Sequence, residues 1–287
     1  MSRTRTGRFG IGFRRGGGAW QKDLPGLIDW AKANDFECID VRGVDAVRQV
    51  VESGLAVGSA DLPAAKGLIS PDKARREEAA AESAEYIRAC KGLARNFFVV
   101  MLPEDPDLPR KENFEAMVDG FGRLRDVLGE CGGRIVIEGW PGPGALCCTP
   151  ETIRAFLDAV DSPTMGLNYD PSHLIRMGVD PLGFLGEFAG RVGHIHGKDT
   201  EILSERLYEL GTEQPPTFAE PIAFGGAHWR YCIPGHGRMR WSKAFEVLAA
   251  GGYDGHVSIE LEDANFNGTE EGEKLGLTLG RRYLEGC

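Results

Sequence analysis

The sequence predicts an α/β fold, a single (β/α)8 TIM barrel in which eight parallel strands alternate with helices. Eight short apolar runs, each bounded by Gly, Pro or polar residues, are separated by stretches with helical periodicity. The last four runs each end in a hard metal ligand, and the carboxyl ends of barrel strands carry the active site. At 287 residues the chain matches one barrel domain, so we expect residues 1–287 to form a single domain.

The predicted strands are rich in β-branched and aromatic residues. They are Phe9–Phe13, Phe36–Val41, Leu55–Ser59, Phe97–Leu102, Arg134–Glu138, Met165–Tyr169, Val192–His196 and His256–Leu261. The clearest helical pattern covers Phe114–Leu128, where Met117, Phe121 and Leu128 recur on one face. Thr149, followed by proline and glutamate, predicts the start of another helix, because this order supplies a cap, a first-turn proline and an acid.

One predicted connection is too long for an ordinary barrel loop. It runs over residues 199–240, between the seventh strand and the seventh helix, where about 2–6 residues are usual. The segment is rich in Pro, Gly and aromatic residues and contains Arg230 and His236. We interpret it as a lid whose Arg230 and His236 face the substrate, with a contact between subunits as the alternative.

Composition excludes some classes of partner. The formal net charge is −10, whereas nucleic-acid binding depends on clustered Lys and Arg, so we expect no nucleic-acid partner. No apolar stretch approaches the ~20 residues that cross a bilayer, and the basic N-terminus lacks the apolar core of a secretory signal. The seven cysteines are odd in number and lack zinc-finger spacing, which favours reduced thiols and a cytoplasmic location.

The four strand-end ligands are Glu138, Asp170, His196 and Glu260, which are 32, 26 and 64 residues apart. Because parallel strands of a barrel end on one face, we expect these side chains to surround one divalent ion. Three carboxylates and one imidazole suit Mn²⁺, Mg²⁺ or Co²⁺ better than Zn²⁺.

Two residues beside these ligands are candidates for substrate binding. His173 follows Asp170 by three residues and could orient that ligand or hydrogen-bond a substrate hydroxyl. Lys198 lies just beyond the seventh strand and could stabilise an oxyanion, with a salt bridge to Asp199 or Glu262 as the alternative. His194 lies on the same side of the strand as His196 and is expected to be a packing or positioning residue.

The chain resembles the xylose isomerase-like TIM-barrel superfamily, the sugar phosphate isomerase/epimerase group, over nearly its whole length. The motifs that carry the resemblance are Ile-Glu-Gly-Trp-Pro-Gly-Pro-Gly at 137–144, Asn-Tyr-Asp-Pro-Ser-His-Leu at 168–174, His-Ile-His-Gly-Lys-Asp at 194–199, Pro-Gly-His-Gly at 234–237 and Ser-Ile-Glu-Leu-Glu-Asp at 258–263. The resemblance implies the same four metal ligands. It also implies that Glu138 and Glu260 act as acid and base on opposite faces of a bound sugar.

The implied activity is a metal-dependent sugar isomerase or epimerase of carbohydrate metabolism. A carboxylate removes the proton α to a carbonyl, and the ion stabilises the resulting enediolate. Trp140, in the segment after Glu138, is expected to contact the carbohydrate. Epimerases of free ketoses in this group carry an Asn-Arg pair where this chain has Gly-Trp-Pro-Gly-Pro-Gly, so the ketose specificity does not carry over.

Three other functions fit the same sequence. A metal-dependent lyase or hydratase acting on 3-keto-glycosides would need the same proton abstraction. An AP-endonuclease-like barrel shares the fold but needs a basic DNA groove and a trinuclear zinc site, which the negative charge and the few histidines oppose. A sugar-binding barrel without turnover is opposed by the paired glutamates. The sequence does not determine whether the protein forms a homo-oligomer.

Overall fold

The computed structural model describes residues 9–287 and contains a closed barrel of eight parallel strands, which confirms the predicted fold class. In chain order the strands are β1 (Gly10–Arg14), β2 (Cys38–Val41), β3 (Ala56–Asp61), β4 (Asn96–Val100), β5 (Arg134–Glu138), β6 (Met165–Tyr169), β7 (Val192–Gly197), β8 (Asp199–Ile202), β9 (Trp229–Cys232) and β10 (His256–Ile259). The barrel order is β1-β10-β7-β6-β5-β4-β3-β2, and β8 and β9 form a separate two-stranded sheet. Each of the eight predicted strands is present with small shifts at its ends.

The helices in the described part of the chain lie between and after these strands. They are α1 (Ala19–Lys22), α2 (Leu24–Ala33), α3 (Val44–Glu52), α4 (Lys73–Ala89), α5 (Arg110–Gly122), α6 (Arg125–Cys131), α7 (Pro150–Val160), α8 (Pro171–Arg176), α9 (Pro181–Phe188), α10 (Ser204–Leu210), α11 (Trp241–Ala250) and α12 (Glu270–Glu285). No helix within residues 9–287 is both long and apolar enough to cross a membrane.

The sequence predicts one continuous helix over 114–128, and this prediction is wrong because the segment forms two helices. The segment is divided between α5 and α6, with the break after Gly122. Glycine is a poor helix former, and Gly120 and Gly122 stand close together at this point. The predicted apolar face is nevertheless buried, because Met117 and Phe121 on α5 and Leu128 on α6 are all fully buried.

The predicted start of α7 is confirmed in detail. The Thr149 hydroxyl accepts from the backbone N–H of Thr152, and the Thr152 hydroxyl accepts from the backbone N–H of Thr149, which together form a capping box. Pro150 is the first residue of the helix, where its missing N–H has no intrahelical partner to lose.

Two compact units make up the described chain, and each has its own packed core. The first comprises residues 9–39, 170–189 and 196–287, and the second comprises residues 40–169 and 190–195. In the first unit the Phe245 ring packs edge-on against the rings of Phe9 and Trp241, with centroids 5.2 and 5.8 Å away. In the second unit, parallel strands β4, β5 and β6 pair in register, and their central residues are buried.

Residues 199–240, which we call the arm, carry secondary structure of their own. Strands β8 and β9 pair antiparallel, so that Asp199 lies opposite Cys232 and Ile202 opposite Trp229. Helix α10 follows β8 after one residue. The sequence indicated only a long connection here, because a four-residue strand whose partner residues lie 27 to 33 positions further along gives little local signal.

The buried carboxylate of Asp199 ties the two ends of the arm together. It accepts hydrogen bonds from the backbone N–H groups of Thr200 at 2.8 Å, Met239 at 2.9 Å and Gly235 at 3.4 Å, and from the Trp241 indole N–H at 3.3 Å. Burial raises the pKa of Asp199, although these donors oppose the rise. At Gly237 a Cβ atom would lie 2.1 Å from the Asp199 Oδ1 atom, so this approach requires glycine.

Two glycines of α5 allow a matched test of the packing in the second unit. A Cβ atom at Gly120 would lie 2.0 Å from the backbone oxygen of Leu68, whereas a Cβ atom at Gly122 would meet no atom within 4 Å. We expect Gly120→Ala to lower the free energy of unfolding by ~1–3 kcal/mol through overpacking. Gly122→Ala should leave it unchanged or raise it by up to ~1 kcal/mol.

Urea unfolding followed by circular dichroism measures both variants under the same conditions. Equal unfolding midpoints for Gly120→Ala and Gly122→Ala would contradict the close packing of α5 against the turn at Gly67–Ile69.

Candidate functional site

Asp170 is positioned by the start of helix α8. It follows β6 directly and caps α8, and its Oδ1 atom accepts from the Ser172 backbone N–H at 2.9 Å and from the Ser172 hydroxyl at 2.6 Å. These bonds fix the carboxylate and direct Oδ2 toward three nitrogen atoms. Oδ2 lies 3.2 Å from Lys198 Nζ, 3.3 Å from His173 Nε2 and 4.0 Å from His196 Nδ1.

Glu260 follows β10 directly, and its two carboxylate oxygens have different surroundings. Oε2 contacts Lys198 Nζ and lies 3.5 Å from His196 Nδ1, whereas Oε1 lies 3.3 Å from Arg14 Nε. Burial on its own raises the pKa of Glu260, but Lys198, His196 and Arg14 together hold that pKa well below its usual value. Glu260 is therefore a carboxylate at neutral pH, able to bind a cation or accept a proton.

Three of these groups fit a divalent cation. Asp170, His173 and Glu260 each offer one ligand atom, and these atoms lie within 4.8 Å of one another. The spread is close to the diameter of a coordination sphere with metal–oxygen distances of about 2.0–2.3 Å. The buried ammonium of Lys198 contacts both carboxylates, so the arrangement already places positive charge among them. Carboxylate oxygens and an imidazole form the donor set expected for a hard or borderline divalent ion.

The orientation of His173 is set by the arm. Its Nδ1 atom lies 2.7 Å from the hydroxyl of Tyr231, a buried residue of β9. Burial raises the pKa of Tyr231, and Lys198 and Arg176 only partly oppose this, so the hydroxyl is neutral. The sequence placed Tyr231 in the long connection but did not indicate its contact with His173, because only the pairing of β8 with β9 brings the two residues together.

In the second unit, Glu138 ends β5 and is buried. Its Oε2 atom accepts from the side-chain amide of Asn168 on β6 at 2.9 Å, and Asn168 is another residue that sequence analysis missed. The register of the two strands places Glu138 opposite Asn168, and this cross-strand pair orients the carboxylate. Trp140 follows in the segment after β5, where a Cβ atom at Gly142 would lie 1.8 Å from its ring.

His194 lies in the second unit against Asp40. His194 Nε2 is 2.9 Å from Asp40 Oδ2, and Asp40 Oδ1 accepts from the backbone N–H of Ser59 at 2.9 Å. Both members of the His194–Asp40 pair are buried, which agrees with a packing or positioning role for His194.

Arg230 and His236, the two residues of the arm that are predicted to bind substrate, both contact other side chains of the protein. Arg230 Nε lies 2.7 Å from Glu201 on β8, and its Nη1 atom lies 3.1 Å from Asp263. The ring of His236 lies 6.1 Å from the ring of Phe266. These contacts tie the arm to the segment after β10, and contact of Arg230 and His236 with substrate stays a prediction.

The fold and these residues define a barrel protein with a candidate divalent-metal site at the carboxyl ends of its strands. Residues 27–283 match the family model of the xylose isomerase-like TIM barrel, and the chain belongs to this family. The resemblance noted from the sequence motifs is thereby confirmed.

Two curated relatives are similar over about half of the chain. An uncharacterised protein of Bacillus subtilis, YfiH, is 35% identical over 136 residues, which cover 46% of this chain and 42% of the relative. An inosose dehydratase of Geobacillus thermodenitrificans is 30% identical over 152 residues, which cover 53% of this chain and 48% of the relative. The chain thus spans about half the length of the curated relatives it matches.

Solved structures match nearly the whole chain at low identity and support the fold. The D-psicose 3-epimerase of Clostridium cellulolyticum H10, with D-tagatose, aligns with a TM-score of 0.71 at 15% identity, covering 96% of this chain and 98% of that one. The 3-keto-D-glucoside 4-epimerase YcjR of E. coli aligns with a TM-score of 0.70 at 15% identity, covering 98% and 100%. The IOLI protein with a bound zinc atom aligns with a TM-score of 0.62 at 17% identity, covering 96% and 95%.

A comparison of Asp170 with Asp180 distinguishes a role in metal binding from a role in helix capping. Asp170 and Asp180 each precede a proline and cap a short helix, but Asp180 is exposed and its helix is α9. Asparagine keeps the capping oxygen and removes the charge. We expect Asp170→Asn to weaken Mn²⁺ binding by at least about tenfold, whereas Asp180→Asn should bind Mn²⁺ like the unmodified protein.

Electron paramagnetic resonance of free Mn²⁺ in a titration measures both affinities. If Asp170→Asn retained the affinity of Asp180→Asn, Asp170 would not be a ligand.

Proposed function

We propose that the protein is a divalent-metal-dependent enzyme that removes the proton α to a carbonyl group of a carbohydrate and thereby isomerises or epimerises it. The observation that carries this proposal is the cluster of Asp170, His173 and Glu260, whose ligand atoms lie within 4.8 Å of one another around the buried Lys198 ammonium. Structural similarity to a D-psicose 3-epimerase and to a 3-keto-D-glucoside 4-epimerase supports the type of reaction.

The proposed ligands are the carboxylates of Glu138, Asp170 and Glu260 and one imidazole. The imidazole is His196, as the sequence predicts, or His173, whose Nε2 atom lies 3.3 Å from Asp170 Oδ2. Glu138 ends β5, and the carboxyl ends of barrel strands carry the functional residues, which supports its inclusion among the proposed ligands. The carboxylates favour Mn²⁺, Mg²⁺ or Co²⁺, and the zinc atom in IOLI makes Zn²⁺ a necessary comparison. When bound, such an ion supplies Lewis-acid polarisation of the substrate carbonyl.

The side chains of this chain would move the proton. Glu260, whose Oε2 atom contacts Lys198 and lies 3.5 Å from His196, would accept the α-proton. Glu138, oriented by Asn168, would return a proton from the opposite face of the substrate. The ammonium of Lys198 would stabilise negative charge on a substrate oxygen.

Dehydration of a keto-sugar or keto-cyclitol is the second candidate reaction, and the 30%-identical inosose dehydratase favours it. Glu260 would take the α-proton, and the C–H electron pair would form a carbon–carbon double bond as the neighbouring C–O bond breaks. The hydroxyl would leave as water with a proton from Lys198, which contacts Glu260 directly. No oxidant or reductant is needed, because the reaction is an elimination.

The proposed substrate is a small carbohydrate and the proposed location is the cytoplasm. The seven cysteines, all within the described range, form no disulfide with one another, and five of them are buried. Chains with this cysteine usage are typical of reducing compartments.

Glutamine variants test the proposed acid and base. Glu138→Gln and Glu260→Gln each keep one oxygen ligand and remove the proton acceptor. We expect each variant to bind Mn²⁺ and to lose about 10²-fold or more in the rate of exchange of the substrate α-hydrogen with D₂O. Glu270→Gln, at an exposed glutamate paired with Lys274 on α12, is the matched control and should exchange at the unmodified rate.

The exchange is followed by proton magnetic resonance with Mn²⁺-loaded protein, ketoses, keto-glycosides and inosose. An epimer as product supports epimerisation, and an unsaturated ketone with release of water supports dehydration. Wild-type-rate exchange in either site variant would overturn the assignment of that residue.

A further inference from the structure

A cavity of about 270 Å³ lies beside the candidate metal site, on the far side of Glu260. The turn after β1, residues 14–18, lines one side, and residues 260–262 line another. Asp170, His173 and Lys198 are not among the residues that line this cavity within the described chain. The cavity therefore adjoins the cluster through Glu260.

The two carboxylate oxygens of Glu260 mark this boundary. Oε2 faces His196 and Lys198 in the cluster, whereas Oε1 faces Arg14, which lines the cavity. A substrate whose reacting carbon approaches Oε2 could extend past Oε1 into the cavity. Such a substrate has two parts, one that reacts and one that only binds.

The charges around the cavity favour a neutral ligand. Its lining includes two arginines and three glutamates. Arg14 is paired with Glu260, and the guanidinium of Arg15 donates to the backbone oxygens of Gln21 at 2.7 Å and Lys22 at 2.8 Å. With both guanidiniums engaged and three carboxylates nearby, a phosphate group would meet net negative charge.

Hydrogen bonds between buried side chains hold the polar wall of the cavity. Glu273 and Gln21 are both more than nine-tenths buried, and Gln21 Nε2 donates to Glu273 at 3.0 Å. Trp20 also donates to the same Glu273 oxygen at 2.6 Å, and Gly16 N–H donates to Gln21 at 2.5 Å. Side chains locked in this way present hydrogen-bonding groups in fixed positions, as sugar hydroxyls require.

Phe224, a residue of the arm, is the aromatic residue among those that line the cavity. It is 41% exposed. Its φ of +53° is in the left-handed region, which strongly disfavours bulky residues. The Tyr231 N–H donates to the Phe224 oxygen at 2.8 Å, and Gly225 pairs with Arg230, so the turn holds this backbone in place. Such strain persists where the surrounding structure enforces it, and it concentrates at functional sites.

We infer that this cavity is a subsite for the second ring of a neutral glycoside, with Phe224 stacking on the flat face of that ring. The inference rests on the proposed function, in which the first ring carries the carbonyl and lies at Glu260. The second ring can be a sugar or an aromatic aglycone, since both present a flat apolar face to an aromatic side chain. Phe224 is thus a specificity-determining residue.

Calorimetry with three unreactive ligands tests the subsite without turnover. The ligands are methyl β-D-glucopyranoside, phenyl β-D-glucopyranoside and cellobiose, titrated into Mn²⁺-loaded protein. The methyl glycoside lacks a second ring, and the other two carry an aromatic ring and a sugar ring respectively. We expect at least one two-ring ligand to bind about five- to tenfold more tightly than the methyl glycoside.

Phe224→Ala should remove this preference, and Phe224→Asn should remove it as well. Asparagine tolerates the left-handed conformation, so Phe224→Asn should unfold at the same or a higher temperature than the unmodified protein, which excludes loss of folding as the cause. Phe218→Ala is the matched control, because Phe218 is another phenylalanine of the arm and is 97% exposed. It should keep the preference.

The outcomes separate this inference from the proposed function. If the two-ring ligands bind no more tightly than the methyl glycoside, or if both Phe224 variants keep the preference, the subsite is wrong. If the preference depends on Phe224 but no carbonyl sugar exchanges its α-hydrogen, the subsite stands and the proposed reaction fails.

Discussion

Burial of charge at Asp170 and Lys198 is the constraint on which the rest of the site depends. An ionised carboxylate taken out of water must be paired and hydrogen-bonded, because an uncompensated buried charge costs about 3–5 kcal/mol. Asp170 meets this requirement with one oxygen on the N-terminus of α8 and the other facing Lys198. The position of the N-terminus of α8, the position of Lys198 and the direction of the Asp170 carboxylate therefore depend on one another.

The same constraint explains why the site contains positioning residues as well as candidate ligands. His173 is held by Tyr231, and Glu138 is held by Asn168. Partners of this kind fix the direction in which a ligand atom points and raise the affinity for an ion. The arm contributes through β9, so a segment remote in sequence from Asp170 determines the orientation of a histidine beside it.

The barrel could be predicted from sequence because each strand is a local apolar run, and the motif at 168–174 placed Asp170 correctly at the end of β6. Three features could not be predicted from the sequence, because they depend on contacts that only the tertiary structure forms. They are the pairing of Asn168 with Glu138, the contact of Tyr231 with His173 and the position of Phe224 at the cavity. The sequence also does not decide whether His173 or His196 is the metal ligand. Both imidazoles lie beside Asp170, at 3.3 and 4.0 Å from its Oδ2 atom, and sequence position does not rank them.

The most direct test of this account is the location of a bound ion. Crystals soaked in Mn²⁺ and measured at the manganese absorption edge would give its position from anomalous scattering. The account predicts one strong peak about 2.0–2.3 Å from carboxylate oxygens of both Asp170 and Glu260, with the Lys198 ammonium moved away from its contact between them. A peak elsewhere, or no peak with Lys198 still contacting both carboxylates, would contradict it.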